Sequence, residues 1–260
     1  MMDTMLGFLI KSFTVAEMEL KKIFRDPMEL LSRALQPVLW LAIFGQVFSQ
    51  VHGIPIGNIS YLAFMTPGIL AQSVLFAAIF YGIAVIWERD LGVIHKLLVS
   101  PSPRSALVFG KALAAGCRGL VQVAIIYLIT FAMHIPIRTE PMAVLGVLGF
   151  VMLGSAVFST FSLIIACIVK TRERFMGIGQ VLTMPLFFAS NAIYPLSLMP
   201  EWLKSVASAN PLTYLVDALR TLMVAGSDTA HSLTLDFSVL AIVFVSFVVI
   251  AAKLYPTLIE

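Results

Sequence analysis

Trp87–Arg104, WERDLGVIHKLLVSPSPR, is a polar, charge-dense island between two long apolar runs, and the rest of the chain is placed relative to it. Within it Leu91, Ile94, Leu97 and Leu98 fall at i, i+3, i+6 and i+7, which gathers them on one face of about two helical turns. Glu88, Arg89 and Asp90 are expected in the first turn of this short helix, where acidic groups suit an N-terminus, with His95 and Lys96 toward its other end. Pro101 and Pro103 then stop it. A short amphipathic helix tied at both ends to apolar spans can dock in a partner's groove as a lever. A solvated loop carrying surface charge has the same pattern.

Composition decides what the flanking runs are. The chain of 260 residues is 60% hydrophobic and 12% charged, with a mean hydropathy of +0.98, against about 25% charged for a soluble domain. It reads as an all-α integral membrane protein. The net charge of +3 is small and the basic residues are spread over several loops, so no nucleic acid partner is expected. Cys117 and Cys167 both lie in apolar runs, which indicates neither a disulfide framework nor a thiolate metal site. MMDTMLGFLIKSF lacks a basic leader and a small-residue cleavage site, so the N-terminus is expected to be kept.

A helix needs about 20 mostly apolar residues to cross the hydrocarbon layer, and six stretches qualify: 34–52, 60–86, 111–134, 142–169, 176–195 and 237–254. Pro37 falls in a first turn, where a missing N–H does little harm, whereas Pro67 and Pro185 lie deeper and are expected to kink their helices. Before the spans, Leu6, Leu9, Ile10, Phe13, Ala16, Leu20 and Phe24 recur at helical spacing, with Lys11, Glu17, Lys21, Lys22 and Arg25 mostly elsewhere. Residues 1–33 are therefore read as an amphipathic helix lying on anionic lipid at the cytoplasmic surface, and 34–260 as the transmembrane domain. Glu17 and Lys21 form a favourable i, i+4 pair.

With the N-terminus inside, 14 lysines and arginines fall on the inner side and three, Arg138, Lys204 and Arg220, on the outer. Both termini are then cytoplasmic. Arg118, seven residues after Lys111 on the same helix face, is the one charge well within an expected span and sits near its inner end.

The expected spans contain no Asp or Glu, which argues against proton or sodium coupling. No G-x-x-x-x-G-K-[ST] loop is present, so energy has to come from another chain. Hydrolase and metal-ligand motifs are absent too, and His52, His95, His134 and His231 are scattered over loops and span ends. Between the last two spans, Tyr194–Gly226 is too broken by Pro200 and Pro211 to be one crossing. From Pro211 it carries an apolar stripe of Leu212, Leu215, Val216, Leu219 and Met223 and a polar one of Thr213, Asp217 and Arg220, the pattern of a short amphipathic helix that dips into the outer leaflet to cap an exit or lies passively on the surface.

Three passages together resemble the membrane subunits of ABC-2 type transporters, of the daunorubicin-resistance and Nod-factor export kind. They are Trp87-Glu88-Arg89-Asp90-Leu91-Gly92 with Leu97-Leu98-Val99-Ser100-Pro101, the Tyr194-Pro195-Leu196 to Pro200 turn, and Asn210-Pro211-Leu212-Thr213-Tyr214 with Asp217 and Arg220. Asp90 and Val93 stand where that family commonly has Glu and Thr.

The resemblance implies a type V exporter-like fold: an N-terminal interface helix, six spans, a coupling helix at 87–101 and re-entrant helices at 196–226. It implies a plasma (inner) membrane permease, not itself an enzyme, that exports a hydrophobic drug, lipid or lipid-linked glycan. Two copies, as a homodimer, would sit on two ATP-binding subunits, which bind the ATP and Mg; this chain would hold no cofactor. By the same resemblance the ATPase is met by Glu88, Arg89, Asp90, Leu91, Gly92, Leu97, Leu98, Pro101, Lys170 and Arg172. Phe13, Glu17, Lys21 and Arg25 belong to the interface helix. Pathway residues are expected at Gln46, Gln72, Gln180, Met184, Phe187, Phe188 and Asn191, and an outer gate at Tyr194, Asn210, Tyr214, Asp217 and Arg220. The alternative is an ATP-independent carrier or channel.

Overall fold

Ser60, Pro141, Asn210-Pro211 and Ser232 each stand just before or at the start of an apolar run, and each opens a helix. The Ser60 hydroxyl accepts from the N–H of Ala63 (3.2 Å), and the Asn210 side chain accepts from that of Leu212 (3.0 Å). The computed structural model describes residues 12, 14, 16, 17, 21, 35–49, 59–94, 104–169, 171–227 and 229–258, and among these it contains no strand. Its helices are α1 (Leu35–Ser49, with a π-helical stretch Trp40–Gly45), α2 (Tyr61–Asp90), α3 (Arg104–Ala132) and α4 (Pro141–Ile168). There follow α5 (Arg172–Phe188), the short α6 (Glu201–Ala209), α7 (Pro211–Met223) and α8 (Leu233–Leu254).

Four of these, α2, α3, α4 and α8, are long and apolar enough to cross a membrane. The six expected crossings are thus four among the described residues. Within them α1 is only 15 residues long, with both flanks outside the described residues. The fifth expected span stops at Phe188, not at 195. Its end is set chemically: the Asn210 amide donates to the carbonyls of Leu186 (2.7 Å) and Ala189 (3.1 Å), and the Ser190 hydroxyl to that of Phe187 (2.7 Å). Carbonyls that the next turn of helix would have satisfied are satisfied by side chains, so Tyr194 and Pro195 belong to a connection.

The core sits between α2 and α4, which pack on each other and both on α3 and α7; α8 packs on α4 and α5 on α2. In the most apolar stretches of α2 and α4, 72% of residues are buried, against 17% for α8, so α8 is the peripheral span. Ser162 of α4 joins the central pair: its hydroxyl accepts from Gly82 N–H (3.0 Å) and donates to the Ile79 carbonyl. An aromatic ladder, Trp40–Phe44–Phe48–Tyr61–Phe64, carries α1 onto α2 with ring centroids 4.3–6.3 Å apart.

The connection after α5 comes closest to α2 at Gly68, where an added Cβ would lie 2.2 Å from the Ala192 carbonyl oxygen. Because the obstacle is backbone, no rotamer change relieves it. Gly68→Ala is expected to destabilise the fold by about 1–3 kcal/mol, the usual cost of overpacking. Gly149→Ala, where nothing lies within 4 Å of the new Cβ, is the control and should be neutral in the same thermal unfolding measurement in detergent.

Candidate functional site

The head of the charged island, Trp87–Asp90, closes one helix and does not open another; residues 93 and 94 are helical again after the turn at Leu91–Gly92. Ala84-Val85-Ile86 runs into Trp87-Glu88-Arg89-Asp90 with no capping residue between, and α2 propagates through Asp90. It ends when Gly92 takes φ +70°, with N–H bonds from Leu91 to the Trp87 carbonyl and from Gly92 to that of Arg89, both 2.9 Å. Glu88, Arg89 and Asp90 therefore occupy a last turn, not the first turn expected from the sequence. The expected stripe divides as well, since Leu91 is exposed and Ile94 buried. Leu97, Leu98, Pro101, Lys170, Phe13 and Arg25 lie outside the described residues.

Carboxylates at a helix C-terminus meet the negative end of the dipole, so each needs a cation. Glu88 takes Lys111 of α3 at 2.6 Å, and both side chains are buried. Asp90 takes Arg172, the first residue of α5, at 2.7 Å, and its neighbour Arg89 at 2.9 Å. The Arg172 guanidinium also stacks 3.6 Å from the centroid of Trp87. One turn of α2 thus ties α3 and α5 together, with Leu91 left projecting. Deeper in, Lys111 (5.7 Å) and Arg118 (4.8 Å) both face the Tyr81 ring, as their seven-residue spacing implies. The N-terminal segment reaches the same end of the bundle, where Ser12 donates to the Ala106 carbonyl (3.3 Å) and Ala16 is buried. Glu17 and Lys21 pair at 2.7 Å on the exposed side, and the hydrogen bond and charge of Lys21 hold the Glu17 carboxyl below its usual range.

At the far end, α7 is buried on both of its stripes. Thr213, Asp217 and Arg220 are as inaccessible as Leu215 and Leu219, so α7 is not a passive surface helix but a core helix whose polar side has found partners. Asp217 accepts from the N–H groups of His231 (2.8 Å) and Ala230 (3.1 Å) and from the Asn191 amide (3.3 Å). Arg220 donates to the carbonyls of Asn191 (2.7 Å) and Phe64 (3.4 Å), and its guanidinium lies 3.9 Å from the Phe64 ring. Tyr214 donates to the Ser208 carbonyl (2.7 Å) and stacks on His231 at 5.0 Å, and Tyr194 donates to the Phe188 carbonyl. Four of the five residues expected at a gate, Asn210, Tyr214, Asp217 and Arg220, therefore sit on or cap one helix. The same end holds an open cavity of about 360 Å³ lined by Phe48, Tyr61, Ile193, Tyr194, Leu198 and Leu203.

The residues expected along a pathway do not share one environment. Gln72, Phe187 and Asn191 are in the core, while Gln46, Gln180, Met184 and Phe188 are exposed. The exposed set is confined to α1 and α5, which touch through Trp40 and Phe187 at 5.8 Å. Reading the sequence missed Lys111 as the partner of Glu88, and it missed His231 and Asp236. Asp236 was overlooked because the last span was started one residue after it; the helix begins at Leu233, capped by Ser232, a signal present in the sequence.

Lys111→Met is expected to destabilise the protein by about 3–5 kcal/mol, since it takes a cation at 2.6 Å away from the buried Glu88 carboxylate. Adding Glu88→Gln should recover much of that loss in the same thermal unfolding assay, because both charges of the pair are then removed together.

Residues 11–224 match the ABC-2 type transporter family. The chain is 32% identical over 219 residues to the transport permease ycf38 of Cyanophora paradoxa, covering 83% of this chain and 74% of that one. It is 24% identical over 243 residues to the inner membrane transport permease YadH of Escherichia coli K12, covering 90% and 91%. To the daunorubicin resistance ABC transporter permease protein DrrB1 of Streptomyces coeruleorubidus it is 24% identical over 198 residues, covering 76% and 69%.

Proposed function

This chain belongs to the ABC-2 type transporter family, and from that we propose that it is the permease subunit of an ATP-driven exporter, powered by a separate ATP-binding subunit. The observation that carries the reading is the turn at Trp87–Gly92. There an exposed leucine and a charged pair project from a point braced to α3 and α5, so a push on it reaches three helices together.

The excess of lysine and arginine on one side supports a cytoplasmic position for this turn and both termini. α1, whose flanks lie outside the described residues, and the 17-residue α5 serve as spans one and five of a six-span fold, and 196–226 lies as short helices toward the outer leaflet. A second copy faces the α1–α5 side. Gln46 and Gln180 support this, because an amide turned to lipid is left without partners, whereas across a dimer seam it can line a route or bond to its counterpart. Met184 and Phe188 give the same face an apolar, adaptable surface, and the cavity beside Tyr194 is apolar. The cargo that fits is a hydrophobic or amphipathic molecule: a drug, a lipid or a lipid-linked glycan. ATP and Mg are held by the partner subunits.

The test is co-expression with the candidate ATP-binding subunit, comparing the wild type with a Leu91→Ala, Leu97→Ala double variant that leaves the Glu88–Lys111 pair intact. Two truncated apolar contacts should reduce copurification, or the ATPase rate of the complex in lipid, by about tenfold or more. If no ATP-binding subunit associates, or the variant equals the wild type in both readouts, the ATP-independent carrier becomes the better account.

A further inference from the structure

Asp236 lies in the first turn of α8, fully inaccessible, and among the described residues neither of its carboxylate oxygens has a hydrogen-bond donor. A buried carboxylate in that condition calls for a proton or a cation. Two further ligand atoms stand beside it. His231 Nδ1 is 3.8 Å from Asp236 Oδ1 and 3.6 Å from Asp217 Oδ2, and all three atoms lie within 4.8 Å of one another. That nitrogen, like the nearby Asn191 Oδ1, also lacks a hydrogen-bond partner among the described residues.

We propose that Asp217, His231 and Asp236 form a zinc site that clamps α7, the following loop and α8 together. A tetrahedral zinc with bonds of about 2.0–2.2 Å spaces its ligands about 3.4 Å apart, close to the two separations that His231 Nδ1 already makes. The ligands are held from behind. Three N–H donors fix the Asp217 carboxylate and the Tyr214 ring fixes the imidazole, so binding requires chiefly an inward movement of Asp236.

Charge agrees with this assignment. From α7 come Asp217 and Arg220, from the loop His231, from α8 Asp236 and from the turn after α5 the neutral Asn191, so the formal sum with a neutral imidazole is −1 + 1 + 0 − 1 + 0 = −1. One imidazole with two carboxylates favours zinc over magnesium or calcium, which take oxygen donors in larger number. The His231 side chain is 24% exposed, which gives the ion a way in and leaves its fourth position to water.

The experiment uses the full chain in lipid nanodiscs, loaded with zinc and dialysed, with metal content read by elemental analysis. The wild type is expected to keep about one zinc per chain, and its unfolding midpoint to rise by about 5–10 °C when zinc is a hundredfold above its Kd. Magnesium should produce no rise. His231→Gln and Asp236→Asn, which nearly preserve shape, should lose both the zinc and the shift. Cobalt in the wild type should give the intense visible bands of a four-coordinate site, a readout that needs no variant. Failure of the wild type to retain zinc, equal retention by both variants, or the weak bands of six-coordinate cobalt would overturn the assignment. None of these outcomes touches the coupling reading, which is probed at the opposite end.

Discussion

A helix that ends in an apolar surrounding leaves carbonyls or N–H groups without water, and the fold depends on how side chains answer that demand. The Asn210 amide closes the end of α5 while its oxygen opens α7. Arg220 takes the Asn191 carbonyl in the same connection, and Asp217 takes two N–H groups of the loop that leads to α8. Three polar side chains at or within one 13-residue helix thus fix where three other segments stop and start. The apolar stripe of α7 supplies the burial, and its polar stripe supplies the addresses.

The opposite end solves a different problem. Charges there are placed where the helix dipole opposes them, and cations from other helices restore the balance. The buried Glu88–Lys111 pair contributes little net stability next to an apolar packing of equal volume, but breaking it is costly, so it fixes registration; the more exposed Asp90–Arg172 pair is worth less. Glu88 with Lys111 sets α2 against α3, and Asp90 with Arg172 sets α2 against α5.

The class, the long apolar helices, the buried stripe of α7 and the joint facing of Lys111 and Arg118 were legible in the sequence, because each rests on periodicity or composition. What was not legible was non-local. Nothing near Phe188 announces that a side chain 22 residues later will cap its helix, and an uninterrupted Ala84–Trp87 gives no reason to stop α2 or to continue it. The polar face of α7 misled for a related reason: an amphipathic pattern has two readings, water or partners, and only the fold supplies the partners. His231 and Asp236 are individually unremarkable, and they meet only because a loop turns back over Asp217.

The length of α2 sets a scale for whatever happens at its end. Thirty residues at 1.5 Å each make a rod about 45 Å long, running from the Gly92 turn to the contact of Phe64 with Arg220. A tilt of about 5° pivoted at one tip sweeps the other through about 4 Å, about the width of a methyl group. The backbone contact at Gly68 leaves no slack in which that sweep could be absorbed. A tilt of α2 about the Gly92 turn would therefore carry the connection after α5 with it.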